Sequence, residues 1–197
     1  MKIIGVGGLT RSGKDTLAEY LIEQGYFGVS FGNIVRFYAR KRHTNKPDPI
    51  SIANMTETAN WLRQNKGADF VLKEAVAKFD AEKQKHHKGL VLYSVRAPIE
   101  ADFIHKNGGK LIWVEASDQV RYQRAKDSRR EGEAEISLAE FVAQENLQWQ
   151  PQPGIPAEAQ MDAKYVKNKA DIFLQNNGTL EEFRIATEAA LKKTNTL

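Results

Sequence analysis

The sequence predicts an α/β fold in three layers, with a five-stranded parallel sheet between two layers of helices. Short apolar runs alternate with segments of helical periodicity along the 197 residues, and a glycine-rich loop joins the first run to the first helical segment. Hydrophobic residues make up 41% of the chain and charged residues 27%, as in folded globular domains. Alternating strands and helices favour a parallel sheet with ligand sites at the carboxyl ends of its strands.

Two strand and helix pairs open the chain. Residues 2–6 form a short apolar run flanked by glycine, as in a buried strand, and residues 14–24 show helical periodicity that ends at Gly25. Residues 26–31 predict a second strand, after which Asn33 is the candidate cap of the next helix.

The middle of the chain predicts a helical insert and then two more strands around a helix. Prolines at 47 and 49 interrupt regular secondary structure before the insert helices. Gly108-Gly109 ends the helix predicted over 99–106. These elements are helices at about 52–64 and 68–85, a strand over 90–95, a helix over 99–106 and a strand over 111–114.

The last third predicts a mobile lid and then the final strand and helix. Its charged stretch and its Pro/Gln-rich loop are typical of a segment that covers a ligand, and two capping boxes open helices. In order these features are the charged stretch 121–135, the box Ser137 to Glu140, the loop 150–156, a strand over 170–174, a turn over 176–178 and the box Thr179 to Glu182.

The loop after the first strand is the most specific motif. Gly8-Leu9-Thr10-Arg11-Ser12-Gly13-Lys14 matches Gly-x-x-x-x-Gly-Lys, in which backbone amides converge on phosphate oxygens at a helix N-terminus and the lysine reaches the transferring phosphate. The chain is therefore predicted to bind a nucleotide through a P-loop. The candidate nucleotide-binding residues are Gly8, Arg11, Ser12, Gly13, Lys14, Asp15 and Thr16.

Asp15 departs from this motif, because the position usually offers a Ser or Thr hydroxyl to Mg²⁺. A carboxylate is a good ligand for a hard cation, whereas without a metal its charge would repel a triphosphate. We therefore predict strong Mg²⁺ dependence, with Asp15 as the candidate metal ligand and Thr16 as the fallback. A plain helix N-terminal charge is the competing interpretation of Asp15.

With these residues the chain resembles the nucleoside monophosphate kinase group of P-loop proteins, which includes dephospho-CoA kinases. The sequence Arg-Ser-Gly-Lys-Asp-Thr at 11–16 is similar to phage deoxynucleoside monophosphate kinases, and its Lys-Asp pair to animal phosphomevalonate kinases. The resemblance spans most of the chain. It implies one kinase domain over 1–197, with a core of about 1–35, 88–118 and 163–197, an acceptor-binding insert of about 36–87 and a lid of about 119–162.

The resemblance implies that two arginines hold the phosphate of the acceptor. Arg36 ends the family-like segment that begins at Ser30, and Arg96 directly follows the third strand. A guanidinium fork suits a monophosphate, although a solvent-exposed arginine is the alternative for Arg36. The third strand offers Ser94 where an aspartate would usually complete the metal site. Glu100 is a candidate to orient Arg96 or to reach the metal through water, and an ordinary surface carboxylate of the helix is the alternative.

The resemblance also implies that lid arginines close over the phosphates. Arg121 and Arg124 lie three residues apart, hence on one helix face, and with Lys14 and Arg96 they form the candidate catalytic set. A solvated charged helix is the competing interpretation, and we rank the later pair, Arg129 and Arg130, below them. The turn containing Asn177 and Gly178 is similar to the turn of the family near the donor base.

The charge and composition of the chain limit the classes of binding partner and of site that the sequence predicts. The net charge of +4 suits phosphate-rich ligands but is too small to imply nucleic acid. No apolar run approaches the roughly 20 residues of a membrane span, so we expect a cytoplasmic protein without a membrane partner. The absence of cysteine excludes thiolate metal sites and cysteine nucleophiles. The sequence carries no signal for an oligomeric state.

We therefore expect ATP- and Mg²⁺-dependent phosphoryl transfer to a small phosphorylated acceptor, above all a nucleoside or deoxynucleoside monophosphate. Two alternatives stay open at this point. The first is an activity like that of dephospho-CoA kinase or phosphomevalonate kinase. The second is a nucleotide-dependent regulatory or RNA-associated ATPase, which would hydrolyse ATP without a small acceptor.

Overall fold

A single sheet of five parallel strands, in the order β2-β3-β1-β4-β5, forms the centre of the computed structural model. The model describes residues 2–82, 86–128, 135–154 and 156–193. The strands are β1 (Lys2–Gly7), β2 (Phe27–Ser30), β3 (Gly89–Val95), β4 (Lys110–Glu115) and β5 (Ile172–Gln175). The predicted five-stranded parallel sheet is confirmed.

Helices cover both faces of this sheet, which confirms the three-layer α/β fold. None of the helices in the described ranges has both the length and the apolar character that a bilayer crossing requires. The helices are α1 (Lys14–Glu23), α2 (Phe31–Arg42), α3 (Ile52–Lys66), α4 (Phe70–Ala81), α5 (Pro98–Lys106), α6 (Asp118–Asp127), α7 (Leu138–Trp149), α8 (Ala163–Asn168) and α9 (Leu180–Lys193), with a short 3₁₀ helix at Ala157–Ala159.

The strands direct alternate side chains into two apolar cores. On one face Ile4 packs with Leu17 of α1 and Phe183 of α9. On the other face Ile3 and Trp113 share a core with α2, α3, α4, α5 and α8. Because the insert helices bury their apolar faces in this second core, they are fixed against this face of the sheet.

Two helix starts differ from the sequence prediction. Asn33 was expected to cap α2, but the helix begins at Phe31 because Ser30 is its N-cap, with Oγ accepting a hydrogen bond from the Asn33 amide at 3.1 Å. Helix α4 begins at Phe70, two residues later than predicted. Its predicted end at 85 lies outside the described residues. The capping boxes that open α7 and α9 are confirmed.

Candidate functional site

The central cavity lies where the carboxyl ends of β2 and β3 meet the glycine loop, residues 8–14. Its volume of about 350 Å³ suits a small molecule. The structure brings the predicted donor loop and the predicted acceptor arginines to this one cavity. The sequence-predicted residues that line it are Arg11, Lys14, Asp15, Arg36 and Arg96.

The turn that follows β5 holds the glycine loop in place. Gly13 has a φ of +103°, a left-handed conformation that favours glycine, and a Cβ there would lie 2.0 Å from Nδ2 of Asn176. The same Nδ2 donates to the carbonyl of Ser12 at 2.8 Å. Both the backbone conformation and the close packing of Asn176 therefore require glycine at position 13, directly before α1.

Lys14 is buried at the first position of α1 and lines the cavity. Its Nζ donates to the Leu9 carbonyl at 3.5 Å and lies 3.7 Å from Oδ2 of Asp15. A phosphate oxygen is a stronger partner for an ammonium than a carbonyl at this distance. This position suits the phosphate contact predicted for Lys14, which stays a prediction.

Asp15 is partly exposed and shares the cavity wall with Tyr93. Burial raises the pKa of the Tyr93 hydroxyl, and the negative charge of Asp15 raises it further. The hydroxyl therefore stays protonated at neutral pH and remains a neutral group beside the carboxylate. Tyr93 was not singled out from the sequence, where it looks like one more apolar residue of a buried strand.

Asp15 fits a magnesium site that takes part of its ligands from the nucleotide. Within the described ranges, no three His, Cys, Asp or Glu side chains form a group that could hold a metal ion. In nucleotide sites Mg²⁺ commonly binds one or two carboxylates together with phosphate oxygens and water. Thr16, the predicted fallback ligand, lines a groove between α1 and α9, whereas Asp15 lines the central cavity itself. Ser94, the penultimate residue of β3, lines the cavity without supplying a carboxylate.

The two acceptor arginines reach the cavity from different elements. Arg36 projects from α2, and its Nη1 donates to Oδ1 of Asn33 one turn earlier. Arg96 follows β3, and its backbone is fixed twice. Its N–H donates to Oε2 of Glu100 at 2.8 Å, and its carbonyl accepts from the Asp162 amide at 2.8 Å. The position of Arg96 at the cavity is therefore set by the backbone and not only by its flexible side chain.

Glu100 is buried, so it is not a surface carboxylate, and its hydrogen bonds favour the predicted role of orienting Arg96. Oε2 accepts from the amides of Arg96 and Ala97 at 2.8 and 3.0 Å, while Oε1 accepts from Nη2 of Arg63 at 2.7 Å. Glu100 thus orients the turn after β3, and both its oxygens are engaged away from a metal. Arg63, which extends from α3, also lines the cavity.

Arg121 reaches the glycine loop but does not line the cavity, because its guanidinium is already engaged by protein acceptors. The residue is 3% exposed. Nε donates to the Ala116 carbonyl at 3.0 Å, Nη2 to Oδ1 of Asp118 at 2.7 Å, and Nη1 to the Thr10 carbonyl at 3.3 Å and to Glu145. In this arrangement Arg121 binds the backbone of the loop, and its predicted contact with phosphate stays a prediction.

Glu145 of α7 completes this link between the lid and the loop. Its Oε1 accepts from the Thr10 amide at 2.9 Å, and its Oε2 pairs with Arg121. Glu145 is itself 3% exposed. Both the amide and the carbonyl of Thr10 are therefore bound by one buried ion pair, which joins α6 and α7 to the nucleotide-binding loop.

Arg124 joins the glycine loop to the turn after β5. Its Nη2 donates to Oδ1 of Asn176 at 3.2 Å and to the Gly178 carbonyl at 3.4 Å, and Nη1 donates to the Arg11 carbonyl at 3.5 Å. Burial lowers the pKa of Arg124, which still leaves it cationic at neutral pH. The predicted residues Arg124 and Gly178 thus meet. Asn177 instead accepts from the Ser117 amide at 2.8 Å, which anchors the turn.

Arg63 and Glu145 were missed from the sequence, as was Tyr93, and Asn176 was predicted only as part of the turn over 176–178. Arg63 lies four residues after buried Ala59 in α3, and Glu145 four residues after buried Phe141 in α7. A charged residue in register with the apolar face of a predicted helix is the signal that could have found the first two. The later lid arginines, Arg129 and Arg130, lie outside the described residues.

Two archaeal proteins illustrate the relatives of the chain. A UPF0200/UPF0201 protein of Archaeoglobus fulgidus is 28% identical over 186 residues, which cover 93% of this chain and 53% of that protein. A UPF0200 protein of Methanoregula boonei is 29% identical over 188 residues, which cover 93% of this chain and 92% of that protein. This chain spans about half the length of the first relative and nearly all of the second.

Solved structures share the fold along nearly the whole chain. The protein TT1252 from Thermus thermophilus has a TM-score of 0.57 at 22% identity, covering 97% of this chain and 96% of its own. Shikimate kinase from Bacteroides thetaiotaomicron has a TM-score of 0.54 at 12% identity, covering 98% of both chains. At these identities the likeness shows the fold alone, which is the three-layer α/β fold described above.

A family profile described as "AAA domain" matches residues 4–151, more than half of the chain. The matched segment contains the glycine loop, the insert and most of the lid. The chain therefore belongs to the AAA domain family.

Proposed function

We propose that this AAA domain protein, with its P-loop kinase fold, transfers the γ-phosphoryl group of ATP to an anionic oxygen of a small phosphorylated acceptor in the central cavity. A nucleoside or deoxynucleoside monophosphate is the proposed acceptor class. The observation that supports this proposal most directly is that Lys14 of the donor loop and the predicted acceptor arginines, Arg36 and Arg96, line one cavity of about 350 Å³. Donor phosphates and an anionic acceptor can thus be held side by side.

The residues of the loop and cavity would act mainly by positioning and by neutralising charge. The loop amides and Lys14 would hold the β- and γ-phosphates, and Arg36 and Arg96 would hold the acceptor phosphate. Asp15 would hold a Mg²⁺ ion, whose positive charge would offset the negative charge of the donor phosphates. Arg121 and Arg124 would fix the loop and the turn beside it, so that the donor geometry is set before the nucleotide binds.

The carboxylates of the cavity favour a phosphate acceptor over a hydroxyl acceptor. A phosphate monoester has a second pKa near 6, so at neutral pH it already carries an anionic oxygen and needs no general base. A hydroxyl acceptor needs a base within hydrogen-bond reach. The cavity carboxylates are Asp15, Glu19 and Glu100. Glu100 is engaged by Arg63 and two amides, and Asp15 is the proposed metal ligand. Among the described carboxylates of the cavity this leaves Glu19, one turn farther along α1, as the candidate base for a hydroxyl, whereas a phosphate acceptor needs no base.

An ADP-release assay with ATP and Mg²⁺ tests this proposal. The panel contains ribo- and deoxynucleoside monophosphates, and it includes dephospho-CoA and phosphomevalonate for the alternative kinase activities. Acceptor-stimulated turnover by a monophosphate supports the proposal, and stimulation only by dephospho-CoA or phosphomevalonate supports those alternatives. ADP release that no acceptor stimulates would instead support the regulatory or RNA-associated ATPase. A small-molecule acceptor requires neither nucleic acid nor a membrane, and the cytoplasm stays the expected compartment.

Arg96→Ala is expected to separate acceptor binding from donor binding. It should lower kcat/KM for the acceptor by about 10- to 100-fold, which corresponds to the loss of a charge-assisted phosphate contact. The KM for ATP should stay near that of the wild type, because Arg96 lies beyond the glycine loop. The matched control is Arg40→Ala, an exposed arginine of α2 that does not line the cavity. Equal loss of ATP binding in the Arg96 variant would refute the assignment.

Asp15→Asn is expected to weaken the dependence of ATP binding on Mg²⁺. The substitution removes the proposed metal ligand, which lowers affinity with Mg²⁺, and it removes a charge that repels the triphosphate, which raises affinity in EDTA. The ratio of the ATP Kd in EDTA to the Kd in Mg²⁺ should therefore fall by about tenfold or more. Calorimetric titration under both conditions measures this ratio. An unchanged ratio would mean that Asp15 is only a helix N-terminal charge.

A further inference from the structure

Arg63 is a buried arginine of the central cavity whose hydrogen-bonding capacity is only partly used. The residue is 4% exposed, lies in α3 and lines the cavity. Its Nη2 donates to Oε1 of Glu100 at 2.7 Å. Its Nε and Nη1 are also buried, and neither has a hydrogen-bond partner within the part of the chain that the structure describes.

Two unpaired nitrogens on a buried guanidinium are costly, because nearly all buried polar groups in folded proteins have a partner. Glu100 balances the charge of Arg63, but it cannot also satisfy the two remaining nitrogens. Its second oxygen already accepts from the amides of Arg96 and Ala97. A hydrogen-bond acceptor brought by a ligand would remove this cost.

A second residue of the same cavity shows the same feature. Gln148 of α7 is buried, and its Nε2 donates to Oγ1 of Thr56 at 2.9 Å. Its Oε1 is buried without a hydrogen-bond partner in the described residues. Polar groups from α3 and α7 that both lack partners therefore border one cavity, whose wall here also includes the apolar side chains of Met55 and Met161.

We infer that Arg63 binds an oxyanion of the acceptor, a phosphate or a carboxylate, and that Glu100 is its positioning residue. The inference rests on the proposed function and deepens it, because it adds to Arg36 and Arg96 an arginine that is preorganised by burial. A guanidinium already fixed by an ion pair loses little side-chain entropy when the ligand binds. Arg63 should therefore contribute more to acceptor affinity than Arg36 and Arg96, which are only partly buried.

Anion binding with the donor loop filled tests this site without requiring turnover. The protein is first saturated with Mg²⁺ and a non-hydrolysable ATP analogue, and is then titrated with inorganic phosphate or, in a second arm, with acetate. Saturable binding in the phosphate arm alone indicates a phosphate group on the acceptor, and saturable binding in the acetate arm indicates a carboxylate. Saturable binding of neither anion by the wild type would overturn the inference.

Three variants make the assignment specific. Arg63→Met combined with Glu100→Gln removes the ion pair without leaving a buried charge, and should weaken anion binding by about 10- to 100-fold. Arg63→Lys keeps the pair with Glu100 and the fold, but loses the guanidinium fork, and should weaken binding by about tenfold. Arg40→Met, an exposed control on α2, should bind like the wild type. If the double variant does not fold, Arg63→Lys decides alone.

Wild-type affinity in the Arg63→Lys variant would overturn the assignment. In turnover assays the same variant should raise the acceptor KM while the KM for ATP stays unchanged, which a merely structural role would not produce. Failure of the proposed function looks different. In that case no acceptor stimulates ADP release, while the Arg63-dependent binding of phosphate or acetate is still observed.

Discussion

Arg121→Met is expected to lower the free energy of unfolding by about 3–5 kcal/mol, because it leaves the carboxylate of Glu145 buried without its cation. The ion pair lies inside the protein, and both partners are only 3% exposed. Methionine has a similar length and fills the space of the aliphatic stem, so the loss of packing is small. The measurement is equilibrium unfolding in urea, with the midpoint and the slope compared between variants.

Two further variants separate the buried pair from arginine loss in general. Arg121→Met combined with Glu145→Gln should recover most of the lost stability, because no unpaired charge remains buried. Arg42→Met removes an arginine that pairs with Glu57 at 2.7 Å on the exposed side of α2, and should cost less than about 1 kcal/mol. If Arg121→Met lowers the free energy of unfolding no more than Arg42→Met does, the ion pair of Arg121 and Glu145 does not hold the lid and the loop together.

The same double variant separates stability from function. It restores the fold but removes the ion pair with Arg121 that holds residue 145 against the Thr10 amide. A glutamine oxygen can still accept from that amide, but it cannot form the ion pair that fixes its position. We therefore expect ATP to bind more weakly to the stable double variant than to the wild type, since the loop loses part of its preorganisation.

Local signals were sufficient to predict the fold and the donor loop. The strand, glycine loop and helix at the start of the chain lie within about two dozen residues, so their turn chemistry and periodicity are visible in the sequence. The cap of α2 shows the limit of this approach. Ser30 and Asn33 are both good N-cap residues, and only the end of β2 at Ser30 decides between them.

Pairings between distant elements could not be predicted from local patterns. Arg63 and Glu100 are 37 residues apart, and Arg121 and Glu145 are 24 residues apart. Neither pair has a spacing that a helix or a hairpin would bring together, so each depends on how the insert and the lid pack. For this reason the sequence indicated that Arg121 acts in the site but not that its partner is a carboxylate of the next helix.

Lys14→Ala is expected to abolish phosphoryl transfer while leaving the fold intact. The lysine is the residue of the glycine loop that would carry positive charge to the transferring phosphate, and removal of such a group should lower kcat by about 10³-fold or more, or at least 4 kcal/mol. Stability should stay the same or rise, because a buried ammonium is costly to desolvate. The readouts are acceptor-stimulated ADP release and urea unfolding, with Lys192→Ala at the exposed end of α9 as the control.

Turnover within tenfold of the wild type would show that the glycine loop is not the donor site. A loss of stability equal to the loss of activity would show that Lys14 acts through the fold and not on the phosphate.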